Sequence, residues 1–331
     1  MPVSFSGWLS EFRENLEEDP KRAALQSLYC SYLGAWYTVS SRFDPGTNIY
    51  ERDWDALIIL DACRVDALRE VADEYPFLDA EGIESVTSIG CSSYEWMVKT
   101  FTEEYREEIA ETAHLTANGF AEPVFEDGVY GPSVAVPFGW PKREVVDADA
   151  FATLDHVWRG GRDERLGNVP PSYMTDWAIE AGRETDAERM LVHYAQPHTP
   201  YMARADAEDR EPTDVEMHPW PALRSGEADY EEVWELYLDN LRYVLDEVTV
   251  LLENLDAETV VITADHGEAF GEFGAHGHPD GLLLPQIKRV PWVETTATDR
   301  GWRQPTLDRA SEVAAEPEAE VEEHLADLGY M

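Results

Sequence analysis

The strongest pattern in the chain is a short, unbroken apolar run that gives way to helical spacing, repeated along most of its length. WDALIILDAC (54–63) is rich in Ile and Leu without polar alternation, as expected of a strand buried on both faces of a parallel sheet, and RVDALREVADEY after it has helical spacing. ESVTSIG (84–90) reads as the next strand and SSYEWMVKTFTEEYREEIAETA (92–113) as one long helix. SVAVPFGW (133–140) and RMLVHYA (189–195) read as strands, YEEVWELYLDNLRYVLDEVTVLLENL (230–255) as a helix, and ETVVITAD (258–265) and RVPWVET (289–295) as the last strands. Strands alternating with helices predict an α/β fold: a three-layer α/β/α sandwich around a mostly parallel central sheet, with its ligand site outside the carboxyl ends of the strands.

The main body is expected over residues 51–300. Residues 1–50 read as a helical extension broken at Pro20 and closed by the turn signal Asp-Pro-Gly in RFDPGTNIY. Residues 301–331 read as a low-complexity acidic tail with a short last helix at 318–328, and Ala203 to Val215 as a surface excursion. No repeat of fixed period is visible. Ala23 to Ser41 carries no charge, but its Gln, Ser, Thr, Gly and Tyr make it too polar for a transmembrane span, which leaves a helix packed on the main domain or a peripheral membrane contact through 23–41.

Composition changes the picture in two ways. The 331 residues carry 68 Asp and Glu against 25 Lys and Arg, a net charge of −43, and only four of the cations are Lys. Such an acidic, Lys-poor chain suits a salt-rich cytoplasm, where repulsion is screened over about 3 Å at 1 M salt, and it argues against nucleic acid as a partner. The three Cys, at 30, 63 and 91, form neither a disulfide framework nor a zinc knuckle, and the acidic N-terminus lacks the pattern of a signal peptide. The protein is therefore expected to be cytoplasmic.

The candidate chemistry sits where strands end. Asp61 closes one strand, and Asp265 and His266 close another; in one sheet they would meet at the same rim and offer a divalent cation mixed oxygen and nitrogen ligands. A lone strand-end Asp serves equally as a helix N-cap, and Asp61 could cap 62–74. CSSYEWM places Ser92 and Ser93 between a strand and a helix, where backbone N–H groups stabilise an anion. Ser92 stands three residues before Glu95, the capping-box spacing, so Ser93 is the freer hydroxyl, with Cys91 as a rival nucleophile or an ordinary buried thiol. HYAQPHTPY (193–201) adds His198 between two prolines, and His193, which could equally be a core histidine. VVITADHGEAFGEFGAHGHPDG (260–281) crowds Glu268, Glu272, His276, His278 and Asp280 after Asp265 and His266; the two Glu read as supporting or solvated groups.

Taken together, LIILDACRVDAL, SIGCSSYEWM, LVHYAQPHTPY and VVITADHGEAFGEFGAHGH resemble, in order, the motifs of the alkaline phosphatase superfamily in its sulfatase-like branch, especially the acidic members from halophilic archaea. The resemblance spans about residues 50–295. It implies an enzyme holding one divalent metal ion through Asp61, Ser93, Asp265 and His266, with Ser93 as nucleophile. His198 and one of His276 or His278 would contact the transferred group or protonate the leaving oxygen, and Arg64 and His193 would help to bind substrate. Oxygen ligands with one imidazole favour Mn or Mg, with Zn and Ca as further candidates.

Three departures narrow the expectation. Two-metal members have an Asp near Gln196, so a neutral amide there favours a single ion. Cys91 is followed by SSYE and lacks the C-x-P-S-R context of formylglycine sulfatases, so the nucleophile is an unmodified hydroxyl. The chain also lacks the transmembrane helices of lipid-linked headgroup transferases. The expected activity is hydrolysis of a phosphate or sulfate ester, on a small molecule or linked to a glycan or lipid. Transfer of a phosphoglycerol- or phosphoethanolamine-type headgroup, or non-catalytic binding of anionic glycans, are the alternatives.

Overall fold

A computed structural model of the protein describes residues 12, 13, 16, 20–40, 42, 45–128, 143–279 and 281–307. The strand expected at 133–140, Asp280, the acidic tail beyond 307 and most of residues 1–19 lie outside the described residues. Six helices of seven residues or more are described: α1 (Pro20–Ser40), α2 (Val65–Val71), α3 (Ser93–Thr100), α4 (Pro171–Glu184), α5 (Pro219–Ser225) and α6 (Tyr230–Leu252).

Seven strands form the central sheet in the order β2-β9-β6-β1-β5-β3-β4. They are β1 (Ala56–Asp61), β2 (Glu84–Thr87), β3 (Thr112–Thr116), β4 (Thr153–His156), β5 (Arg189–Pro197), β6 (Ala257–Thr263) and β9 (Arg289–Ala297). Only β9 runs against the rest, pairing antiparallel with both β6 and β2. The sheet is therefore mixed but mostly parallel, and helices flank it. Every residue of β1 is buried, which explains its unbroken apolar run: parallel strands covered on both faces have no solvent side to mark with polar residues. A separate hairpin of β7 (Ala269–Phe270) and β8 (His276–Gly277) stands beyond the end of β6.

The helix expected over 92–113 is shorter than its pattern. α3 stops at Thr100, a single helical turn and the short helix Arg106–Ala110 follow, and Thr112–Thr116 becomes β3. Packing decides the break. Phe101 is fully buried among Trp96, Phe125, Phe151 and His114, and its backbone leaves the helical region (φ −95°, ψ 73°) to reach that cluster. The strand β4 and the helix α4 also escape the apolar pattern. The surface excursion at 203–215 contains the short helix Ala203–Ala207.

α1 begins at Pro20, where proline's fixed φ and missing N–H suit the first helical turn. Ala23 is buried, whereas Leu25, Leu28, Tyr32 and Val39 are exposed. No described helix is long and apolar enough to cross a membrane.

Candidate metal centre

β1 lies between β5 and β6, so the ends of three neighbouring strands deliver Asp61, Gln196 and Asp265 to one rim. Asp61 does not cap a helix: the residue before α2 is Arg64, and the Asp61 carboxylate turns inward. Its Oδ2 accepts from Asn118 Nδ2 at 2.9 Å and from Ser93 Oγ at 3.3 Å, while its Oδ1 is buried without a hydrogen bond. Asp265 shows the same division. Its Oδ1 accepts from the backbone N–H of His266 at 2.9 Å and of Ala62 at 3.2 Å, and its Oδ2 accepts no hydrogen bond.

The imidazole of His266 completes the group. Its Nδ1 lies 2.9 Å from the carbonyl oxygen of Gly267, which can only accept, so Nδ1 carries the proton and the Nε2 lone pair faces inward. That Nε2 is 3.5 Å from Asp61 Oδ1, 3.6 Å from Asp265 Oδ2 and 3.3 Å from Ser93 Oγ. All four side chains are buried. Ligand atoms of Asp61, Asp265 and His266 lie within 4.8 Å of one another.

Two converging carboxylates in a dry site are electrostatically costly without a cation. Burial and the neighbouring Asp265 push the Asp61 carboxyl well above the usual carboxylate range, the direction expected where two buried carboxylates face each other. For Asp265, burial pushes upward but the neighbouring His266 and His193 outweigh it, so the carboxyl is shifted downward. One open oxygen on each Asp, an inward lone pair and a hydroxyl make a donor set that fits a divalent cation.

Ser93 reaches this centre because the turn before it is capped by its neighbour. Ser92 is the N-cap of α3, and its Oγ accepts from the Glu95 N–H at 3.3 Å. The Glu95 side chain turns to the Cys91 N–H at 2.8 Å and to Lys99 at 2.7 Å. Cys91 itself is fully buried against the carbonyl of Leu282, and burial raises its thiol well above the ordinary range.

A second group adjoins the first. His198 Nε2 is 2.9 Å from His278 Nε2, and Glu268 offers a carboxylate oxygen within 4.8 Å of ligand atoms of both. His198 Nδ1 faces the carbonyl of Thr199 at 2.8 Å and so carries its proton. With both rings neutral, His278 Nε2–H donates to His198 Nε2. Burial and His266 hold His198 down to about 4. Glu268 is fully buried, both its oxygens lack hydrogen bonds, and burial raises its carboxyl despite Arg64 nearby. It is thus neither solvated nor peripheral.

Of the two histidines left open by the sequence, His278 joins the site. His276 lies in β8, paired with Phe270. His193 is fully buried beneath the carboxylates, its Nε2 3.6 Å from Asp265 Oδ2, with its ring stacked on His114. Arg64 is committed elsewhere: its guanidinium pairs with Asp66 at 2.6 Å and Glu272 at 2.7 Å, beside the rings of Trp234 and Phe270. Asn118, which sequence reasoning missed, follows β3 in TANGF, where the Asn-Gly pair was the available turn signal.

No family model and no curated protein matches the chain. Solved structures do. The chain resembles phosphoethanolamine transferases and sulfatases. The C-terminal periplasmic domain of a phosphoethanolamine transferase from Campylobacter jejuni is 14% identical, with a TM-score of 0.44 over 73% of this chain and 78% of that one. The soluble domain of lipooligosaccharide phosphoethanolamine transferase A from Neisseria meningitidis is 16% identical, with a TM-score of 0.46 over 82% and 86%. A candidate sulfatase from Bacteroides thetaiotaomicron is 13% identical, with a TM-score of 0.40 over 83% and 74%.

Proposed function

We propose that this protein hydrolyses phosphate or sulfate esters, with Ser93 as nucleophile and one divalent cation held by Asp61, Ser93, Asp265 and His266. The observation that carries the reading is the Ser93 Oγ, buried at the N-terminus of α3 and 3.3 Å from both Asp61 Oδ2 and His266 Nε2. A bound Mn or Mg ion would lower the pKa of the hydroxyl and offset charge on the non-bridging oxygens.

The chain's own residues account for the rest. Asn118 and the Ala62 and His266 N–H groups orient the two carboxylates. Ser93 Oγ attacks phosphorus or sulfur in line, releasing its proton to Asp61 Oδ2, while the helix N-terminus favours the anionic group. An arriving anion raises the affinity of the His198–His278 pair for a proton, and the leaving oxygen takes that proton as its bond breaks. Water then cleaves the Ser93 ester. We place the protein in a salt-rich cytoplasm, where screening lets a chain of charge −43 admit anions. α1 is its surface for peripheral membrane contact.

The test is turnover of nitrophenyl phosphate, bis-nitrophenyl phosphate and nitrophenyl sulfate in molar KCl, with and without Mn, for the wild type and Ser93→Ala. Metal-dependent turnover of one ester, reduced by at least about 10³-fold in the variant, is the expected result. Equal turnover by the variant removes Ser93 from this role. Turnover only with an added acceptor alcohol makes the protein a headgroup transferase, and no turnover under any condition makes it a binder of anionic groups.

A further inference from the structure

The chain has four lysines, and two of them are buried side by side under the turn that precedes Ser93. Burying an ammonium is costly unless it is paired, and these two are committed to backbone carbonyls of one loop. Lys99 Nζ donates to the Ile89 carbonyl at 3.3 Å and pairs with Glu95 at 2.7 Å, with both side chains almost fully enclosed. Lys288 Nζ donates to the Gly90 carbonyl at 3.1 Å. The other Glu95 oxygen accepts from the Cys91 N–H at 2.8 Å.

The same loop is gripped a second time through the backbone. The Lys288 carbonyl accepts from the Ser88 N–H at 2.7 Å, and the neighbouring Ile287 carbonyl accepts from the Gly267 N–H at 2.7 Å. Segment 287–288 thus holds the turn leading to Ser93 and the turn leaving Asp265 and His266. A side chain at Gly267 is excluded, since a Cβ there would stand 2.1 Å from the Gln286 carbonyl oxygen. β2 ends at Thr87 and α3 begins at Ser93, so the residues between them lie outside both the strand and the helix.

We infer that Glu95, Lys99 and Lys288 are positioning residues: a buried cation–anion–cation clamp that fixes the 88–92 turn so that the Ser93 hydroxyl stands between Asp61 and His266. The inference rests on the proposed role of Ser93. The clamp touches no substrate. It acts by holding the nucleophile, and a misplacement of about 1 Å in such a group costs on the order of 10²-fold in rate.

Lys288→Met removes one donor while keeping the aliphatic stem, and Lys288→Arg restores a donor. In Lys288→Met, kcat on the best ester is expected to fall by about tenfold or more with KM within about threefold, and Lys288→Arg is expected to recover part of that loss. Amide exchange over residues 88–93 is expected to quicken by about tenfold while the rest of the sheet keeps its protection. If Lys288→Met does not fold, the double variant Glu95→Gln/Lys99→Met, which removes the whole ion pair, takes its place in both measurements. Unchanged kcat, or exchange that stays slow over 88–93, overturns the clamp. Should the wild type turn over no ester, the function proposed above fails, and the exchange measurement alone still decides whether these residues hold the turn.

Discussion

Asp61 and Asp265 divide their oxygens in the same way: one is anchored by protein donors and the other is left open. That division orients the open oxygens at no further entropic cost when a cation arrives. The histidines divide likewise, since carbonyls of Gly267 and Thr199 fix the protons of His266 and His198 on Nδ1. With its proton on Nδ1, His198 is then the acceptor of its pair and His278 the donor. A proton supplied from His278 matters most where the leaving oxygen is basic. In His278→Asn, turnover of an alkyl ester is expected to fall by about 10²-fold or more, against less than about tenfold for the nitrophenyl ester of the same acid. Equal losses on both esters would assign His278 to binding. Much of this site was legible residue by residue. The spacing of Ser92 and Glu95 marked Ser92 as the cap and left Ser93 as the candidate nucleophile, and α3 does begin that way. Asn118 was not legible, because TAHLT is too short and too polar a run to announce the strand that carries it.

At the scale of elements, α6 does more than cover the sheet. Two buried polar residues one turn apart reach the two loops that hold the site. Tyr237 donates to the Ala62 carbonyl at 2.8 Å and accepts from the Arg64 N–H at 2.9 Å, securing a turn in which Ala62 has φ 61°. Asn240 donates to the carbonyls of Pro197 and His198 and accepts from the Met202 N–H. The helix itself was plain in the sequence from its apolar spacing. Its role as a brace was not, because a Tyr or Asn on the inner face of a pattern gives no hint of its partner. Nor was the end of α3 legible, since helical spacing continues through Phe101 and only the aromatic cluster breaks it. Tyr237→Phe keeps the ring and removes both hydrogen bonds, leaving a buried carbonyl and N–H unpaired. A loss of about 1–3 kcal/mol in urea unfolding is expected, together with weaker Mn binding. A loss within about 0.5 kcal/mol would mean that the turn is held without the helix.

The whole molecule carries its charge in a way that follows from the placement of its few lysines. Lys99 and Lys288 are buried, so among the described residues Lys21 alone of the lysines is exposed. Surface cations are mostly Arg already paired, such as Arg52 with Glu84, Arg183 with Asp299, Arg242 with Glu74 and Arg300 with Glu253. Even if every Lys and Arg were paired, 43 carboxylates would remain. Exposed pairs contribute little each, whereas the unpaired excess repels itself over the whole surface, so added salt weakens the smaller term and relieves the larger. The thermal midpoint is therefore expected to rise by on the order of 10 °C between 0.01 and 1 M KCl, as the Debye length contracts from about 30 Å to about 3 Å. The shape of the curve identifies the cause. Screening has little left to relieve beyond about 1 M, so the gain should flatten there, whereas salting-out of apolar surface would keep raising the midpoint and would act more strongly in sulfate than in chloride. A flat response from low salt upward would mean that the acidic surface does not limit the stability of this fold, and would remove the physical argument for a salt-rich habitat.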